Sequence, residues 1–587
     1  MTLDVSGWGI DDYRDACRNG TSAADIVEAV LRLLDALPAS VLIGEPLRDS
    51  ARADAARLAT IDSDLLPLYG VPFVVKDNID VAGHPTTAGC PGYSYEATAD
   101  ATLVRRLRNA GAIVVGKTNL DQFATGLVGT RSPHGTPPNV LRPDLVPGGS
   151  SSGSAVAVAL GAVPFSIGTD TAGSGRVPAS LNGLVALKPT LGRVSTAGIV
   201  PAVRRLDCPS VFSRSVGDAA AVARVISGPD VADAFSRPAQ SVRPLAWPPV
   251  IGVPDPWPAH VALDPMIRTW FDAAIASLAD LGATIVPVDI GPALVLGDML
   301  YGSALVAERA AAVGDAIAHG LDGLDPVVAR IIGDSTGATA VEAYLGEYRL
   351  AELRAVAAQL WSIVDVLALP TTSILPTVEA VAADPFGVNR VVGQLTTFVN
   401  LADCAAVVVP MQPRLPAGLQ LVAPAWHDDE LLALGGSYMN GDKITGERPP
   451  AVSSCTIVVV GAHLDGLPLN HQLTDRGGWC RERTTTSANY RLFALPETSP
   501  PKPGLRRVED GGAMIDVEVW TLGVAEFGSF VDSVPSPLCI GTIELADGSR
   551  HKGFLCEPWA LESARDITEF GGWRAYLIDA GLASASL

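Results

Sequence analysis

Three features of the sequence predict an α/β fold with a smaller α+β domain behind it. Short β-rich runs alternate with helical stretches through most of the chain, the texture of a sheet covered by helices. Hydrophobic residues make up 48% and charged residues 18% of the 587, enough apolar material for a large core and too little charge for disorder. The third feature is a break: Gly435–Ser454 is polar and rich in Gly and Pro, and a new β-rich run, Cys455–Val460, follows it. The boundaries are set at residues 1–440 for the first domain, 441–454 for a linker and 455–587 for the second domain.

From Asp11 to Leu37 apolar residues recur at helical spacing, with Thr21 or Ser22 as N-cap before Ile26, Ala29, Val30 and Leu33, which predicts one surface helix. Leu65–Val75 and Ala112–Gly116 read as strands on either side of a helix near Leu103–Ala110. The alternation returns as a strand at Val250–Val253, a helix at Met266–Leu281, and strands at Ala283–Val288 and Val364–Leu369, then fades after Leu434. In the tail, Ile543–Phe554 reads as a hairpin turning at Asp547-Gly548.

Charge and targeting narrow the function classes. Lys and Arg number 42 against 63 Asp and Glu, a net charge of −21, which argues against a nucleic-acid partner. Met1–Val5 has neither the basic nor the apolar region of a secretory signal, so a cytoplasmic protein is expected. The longest apolar stretch, Ala155–Ile167, is interrupted by Gly161 and Pro164 and falls short of the roughly 18 residues that cross a bilayer, so no membrane partner is expected. Eight cysteines stand singly, without CxxC or Cys/His metal spacing. They read as reduced, mostly buried thiols, with no metal.

The most unusual local composition is Pro147–Ala159, followed closely by Gly168–Pro178: two Gly/Ser loops around a small-residue helix. Consecutive amides in a tight turn form an anion-binding nest, which acyl-transfer chemistry uses as an oxyanion hole. A flexible linker would not run at once into an apolar helix. Gly149–Gly153 matches a G-x-S-x-G elbow in letters, but Asp144–Gly148 before it is no buried strand. No Gly-Lys-Ser/Thr follows, which argues against a nucleotide-binding loop. Lys76 ends the strand-like run Gly70–Lys76, where burial would lower its pKa and make it a general base. The plainer alternative is a lysine paired with an acid such as Asp77.

Together these pieces resemble the amidase signature family over Leu68–Thr190, through Lys76, the Gly-Gly-Ser-Ser loop, the Thr-Asp-Thr-Ala-Gly-Ser loop and Gly183–Thr190. The resemblance implies a large mixed sheet flanked by helices and a triad of a lysine, a serine after a cis peptide bond and a nucleophilic serine 24 residues later. That spacing selects Lys76, Ser150 and Ser174. By the same resemblance, neutral Lys76 draws a proton through Ser150 from Ser174, and the amides of Thr171, Ala172, Gly173 and Ser174 receive the oxyanion. No cofactor is implied. The chain departs from the family at Ala172, where Gly is usual, and at Ser152, where the loop often runs Ser-Ser-Gly-Gly; neither touches the triad.

Tyr301–Arg309, Phe398–Pro410 and the tail segments Gly461–Asn470, Pro535–Gly541 and Gly553–Glu557 resemble the allophanate hydrolase branch of that family, so the likeness spans nearly the whole chain. Tyr301 and Arg309 are eight residues apart, about two helical turns, and are expected to share a helix face on which Arg309 clamps a small carboxylate. Otherwise Arg309 lies in solvent. The resemblance adds Gly126 to the substrate-binding residues. It implies hydrolysis of allophanate, a small anionic amide, to ammonia and N-carboxycarbamate, which the second domain helps to decarboxylate. It also implies a gamma-glutamylcyclotransferase-like fold for that domain, a homodimer, and a separate urea carboxylase or biuret hydrolase in the pathway. His463, in a turn with Asp465 and Asn470 near enough to orient it, is a catalytic candidate there, as a cation beside the intermediate or as a proton carrier. The alternative is a histidine that satisfies the turn. Val409–Gly418 is shorter than the loop of relatives. A general amidase for a larger carboxamide, and a non-catalytic scaffold or transamidation component, are the competing functions.

Overall fold

The computed structural model describes residues 3–240, 242–444, 454–476, 478–496 and 498–582. Two compact units result: Met1–Pro238 with Leu245–Pro449, and Ala239–Pro244 with Pro450–Leu587. Most of the expected linker, residues 445–453, lies outside the described residues, and Gly435–Asn440 belongs to a helix, Asp428–Asn440, rather than to a linker.

The first unit is built on ten strands: β1 Pro72–Lys76, β2 Ile113–Thr118, β3 Phe165–Asp170, β4 Val185–Lys188, β5 Cys208–Ser213, β6 Val250–Pro254, β7 Thr284–Val288, β8 Val366–Pro370, β9 Cys404–Pro410 and β10 Gly418–Pro424. They form one mixed sheet in the order β2-β1-β3-β5-β4-β9-β10-β8-β6-β7. β1 runs parallel to both β2 and β3, while β3, β5, β4, β9, β10 and β8 pair antiparallel in turn. β1 to β3 are buried along their whole length, as strands covered on both faces should be. Phe73 and Phe165 stack across β1 and β3 with ring centroids 5.3 Å apart. Between β7 and β8 every regular element is helical.

Several expectations need correction. The single helix over Asp11–Leu37 is two, Ile10–Arg18 and Ala23–Asp35, because Gly20 turns the chain at φ +94° and Ser22 starts a new helix by accepting a hydrogen bond from the Asp25 amide at 3.1 Å. The second of these buries Ile26, Val27, Val30 and Leu31, so it is a core helix. Of Leu65–Val75 only Pro72 onward is strand. Four of the eight cysteines are buried and Cys539 is exposed.

The second unit has a five-stranded sheet in the order Trp479–Thr485, Asp516–Gly523, Ser454–Val459, Arg550–Cys556, Leu538–Glu544. The last two strands are the expected hairpin, closed by Asp547-Gly548 with Gly548 at φ +86°. No described helix is long and apolar enough to cross a membrane.

Candidate active site

Adjacent strands carry the first groups of the site. β1 ends on Lys76 and β3 ends on Thr169 and Asp170, so the sheet sets these side chains beside one another. Between them in sequence, the loop Pro147–Ser151 leads into the helix Ser152–Ala159. The Gly149–Ser150 peptide bond is cis. Only glycine fits at 149, since a Cβ there would lie 2.1 Å from the Asp121 carboxylate.

Lys76 is fully buried, with its Nζ 2.7 Å from the Ser150 Oγ and 2.7 Å from the Thr169 Oγ1. Burial pushes its pKa from the ordinary lysine value down to about 7, against the pull of Asp121, Asp207 and Asp170. The anticipated partner, Asp77, is engaged elsewhere: it pairs with buried Lys117 at 3.0 Å. Lys76 is therefore a lysine without a carboxylate in contact, held by two hydroxyls.

Ser174 is buried, and its Oγ donates to the Gly126 carbonyl at 3.4 Å. Its own carbonyl accepts from the Ser151 amide at 3.3 Å, which ties the two serine loops together. The shape of the Ser174 loop comes from Asp170, whose carboxylate accepts the amides of Gly173, Gly175 and Arg176 at 2.9, 3.1 and 3.2 Å. Burial alone would raise the Asp170 pKa, but the buried Arg176 guanidinium, 2.8 Å away, overrides it and holds the carboxyl at about 2. Arg176 is itself fixed by the Thr396 carbonyl, Gln420 and Asn400. Gly173 sits at φ +128°, where a side chain would be strained and would also strike Thr396 Oγ1 at 2.3 Å.

Of the four amides expected to receive the oxyanion, one is already engaged. The Gly173 amide is spent on Asp170. Those of Thr171, Ala172 and Ser174 have no protein acceptor among the described residues, so three amides rather than four stand available.

Tyr301 and Arg309 do not share a helix. The helix Gly291–Gly302 ends at Ser303, whose extended backbone and Oγ start a short 3₁₀ turn before the next helix, Ala307–Ala318. The two side chains meet nonetheless: the Arg309 guanidinium lies 5.6 Å from the Tyr301 ring centroid, and its Nη2 is 3.4 Å from the Tyr301 hydroxyl. Arg309 is 2% exposed, so the solvent alternative fails. Its Nη1 donates to Thr125 Oγ1 at 2.8 Å, while its Nε is buried with no partner among the described residues. Thr125 precedes Gly126, whose carbonyl holds Ser174, so two consecutive residues join the guanidinium to the serine.

In the second unit, the His463 side chain is half-buried. It stacks on Phe554 with centroids 5.0 Å apart, meets Phe530 edge-on, and places Nε2 3.0 Å from the Gln472 Oε1. Neither expected neighbour orients the ring: Asn470 bonds the His463 carbonyl, and Asp465 pairs with Arg483. Burial lowers the His463 pKa. That direction favours the uncharged ring.

Thr169, Asp170, Arg176, Thr125 and Asp207 escaped the sequence reading. Thr169 and Asp170 stand inside a segment that its composition marks out, but the partners of Arg176 other than Asp170 are 220 to 244 residues away in sequence and leave no local signal. No group of three or more His, Cys, Asp or Glu among the described residues could hold a metal.

The family described as Amidase matches residues 25–432, and the Allophanate hydrolase C-terminal domain matches residues 455–578. Urea amidolyase of Saccharomyces cerevisiae is 41% identical over an alignment covering 98% of the chain and 33% of that protein. The chain thus spans about a third of the length of that relative. A solved allophanate hydrolase of Kluyveromyces lactis superposes with a TM-score of 0.74 at 39% identity, covering 98% of this chain and all of that one. A glutamyl-tRNA(Gln) amidotransferase subunit of Symbiobacterium thermophilum is 34% identical across 73% of the chain and 95% of its own length. On the extent of these matches and the sheet that underlies them, the chain belongs to the amidase family and carries the C-terminal domain of the allophanate hydrolases.

Proposed function

We propose that the chain hydrolyses allophanate to ammonia and N-carboxycarbamate, with Ser174 as nucleophile. The observation that carries this reading is the buried Lys76 amine, 2.7 Å from Ser150 and poised near neutrality. A neutral amine accepts the Ser150 proton while Ser150 takes that of Ser174, and the Ser174 Oγ adds to the terminal amide carbon. The amides of Thr171, Ala172 and Ser174 receive the negative charge on the carbonyl oxygen. The relay then returns the proton to the departing ammonia, and water cleaves the acyl-enzyme by the same route. Arg309, backed by Tyr301 and with Gly126 beside Ser174, takes the substrate carboxylate. An Nε with no protein acceptor suits a bidentate anion.

The purified chain alone is expected to release ammonia from allophanate far faster than from simple aliphatic amides, as a coupled ammonia assay would read. Comparable rates on both would favour the general amidase, and no release would favour a transamidation component. We place the protein in the cytoplasm as a homodimer, with a separate urea carboxylase or biuret hydrolase upstream and domain boundaries at 1–440, 441–454 and 455–587.

For His463 we propose a proton relay during decarboxylation: the neutral imidazole takes up a proton from water and passes it to the nitrogen that carbon dioxide leaves. His463→Ala should leave the first ammonia unchanged while N-carboxycarbamate, followed by carbon NMR, persists longer. Unchanged decay would remove His463 from the reaction.

A further inference from the structure

Asp121 touches the backbone beside both serines of the relay, yet no step described so far uses it. It follows β2, which ends at Thr118, and it is fully buried. Its amide donates to the Ser150 carbonyl at 3.0 Å. Its carboxylate accepts the Gly129 amide at 3.0 Å and the Arg131 amide at 2.9 Å. A Cβ placed on Gly126 would lie 2.4 Å from that carboxylate, and one on Gly149 would lie 2.1 Å from it. Gly126 offers its carbonyl to Ser174, and Gly149 leads through the cis bond into Ser150.

Both described bonds to this carboxylate come from N–H donors, which favours its ionised form. The Arg131 guanidinium does not claim it: the terminal nitrogens of Arg131 donate to the carbonyls of Thr125 and Pro385 at 3.0 and 2.6 Å. Burial raises the Asp121 pKa, against Arg131, the two amide bonds and Lys76, while it lowers the pKa of Lys76. Of the carboxylates that act on Lys76, Asp121 pulls harder than Asp207 or Asp170, and the Arg309 cation opposes all three.

The relay turns the Lys76 amine into an ammonium in a fully buried place where it touches only hydroxyls. A buried cation without a countercharge is costly. We propose that Asp121 is a positioning residue for the amide hydrolysis, whose negative charge stabilises the Lys76 ammonium while its amide and carboxylate hold the backbone at Ser150 and Gly126. The inference rests on the lysine relay proposed above. No proton passes to Asp121: Ser150 gives its proton to Lys76, takes that of Ser174, and the carboxylate stays ionised throughout.

The pH profile of Asp121→Asn tests this in the full chain with allophanate as substrate. The acid limb, expected near pH 7 in the parent chain, should move down by about one pH unit, because removal of a nearby negative charge makes the amine easier to deprotonate. On the alkaline plateau kcat should fall roughly tenfold or more, since the ammonium is then formed without its countercharge, and KM should change little. Asp121→Ser, which leaves space for water to accept the two amides, should move the limb in the same direction and serves where the Asn variant does not fold. A lower plateau with the limb unmoved or moved upward would make Asp121 a purely structural residue and overturn the proposal. Failure of both variants to fold would overturn it too, by making the carboxylate a requirement of the fold rather than of the reaction. A flat profile in the parent chain would instead remove the lysine relay itself.

Discussion

Replacing Ser174 with alanine is expected to lower allophanate turnover by roughly a thousandfold or more, and Ser150→Ala and Lys76→Met should do nearly as much damage, because groups acting as one relay fail together. The double variant Ser150→Ala with Lys76→Met should be scarcely worse than either alone. Ser151→Ala is the control. Its Oγ donates to the Thr169 carbonyl at 3.1 Å and has no described contact with Lys76 or Ser174, so most activity should survive. The relay needs the amine uncharged, and a pKa lowered to about 7 places the change inside the assay range. Activity should therefore climb as pH rises through about 7 and level off above it. The sign for stability is the same: between pH 7 and the ordinary lysine value the unfolded chain binds a proton that the folded one has lost, so this group's contribution rises with pH across that window. Steady-state rates from pH 5.5 to 9.5 read the first effect. A flat profile, or an inactive Ser151→Ala beside an active Ser150→Ala, would dismantle the assignment.

The second large effect belongs to Arg309. Removing one partner of a buried, charge-assisted pair costs about 2 to 5 kcal/mol, roughly 30-fold to several thousandfold in kcat/KM. Arg309→Gln should show that loss on allophanate, and much less on biuret, where an uncharged amide stands in place of the carboxylate. Arg309 also lowers the Lys76 pKa. The variant's pH profile should therefore move upward for both substrates, and the comparison belongs on the alkaline plateau. Equal losses there on both compounds would mean that Arg309 positions the pocket rather than the carboxylate.

How much of this is legible in the sequence varies with distance along the chain. Strand ends and Gly/Ser loops are local features, and they mark the segments from which the family resemblance selects Lys76, Ser150 and Ser174. The strands at Val250, Thr284 and Val366 are equally legible, because short β-rich runs between turn residues have few other readings. Helix continuity is not. Gly20 and Ser303 each break a stretch whose apolar spacing runs on regardless, and in both cases a turn residue is the signal that the periodicity outweighs. The groups that shape the site, Asp121, Asp207 and the Asp170–Arg176 pair, are invisible for another reason. A buried carboxylate declares itself only through its partners, and here Arg176 reaches Asn400 and Gln420 on the far side of the chain.

The entirely helical stretch between β7 and β8 has a consequence for how such enzymes diversify. Lys76, Ser150, Thr169 and Ser174 are anchored on β1, β3 and the loops beside them, whereas Tyr301 and Arg309 stand in that insert, which adds no strand to the sheet. On the proposed roles, a mutation in the insert would alter which molecule is gripped without moving the atoms that break the bond. Selection can therefore exchange the receptor while inheriting the engine, and a protein engineer seeking a different amide would randomise residues 289–365 before touching anything between 72 and 176.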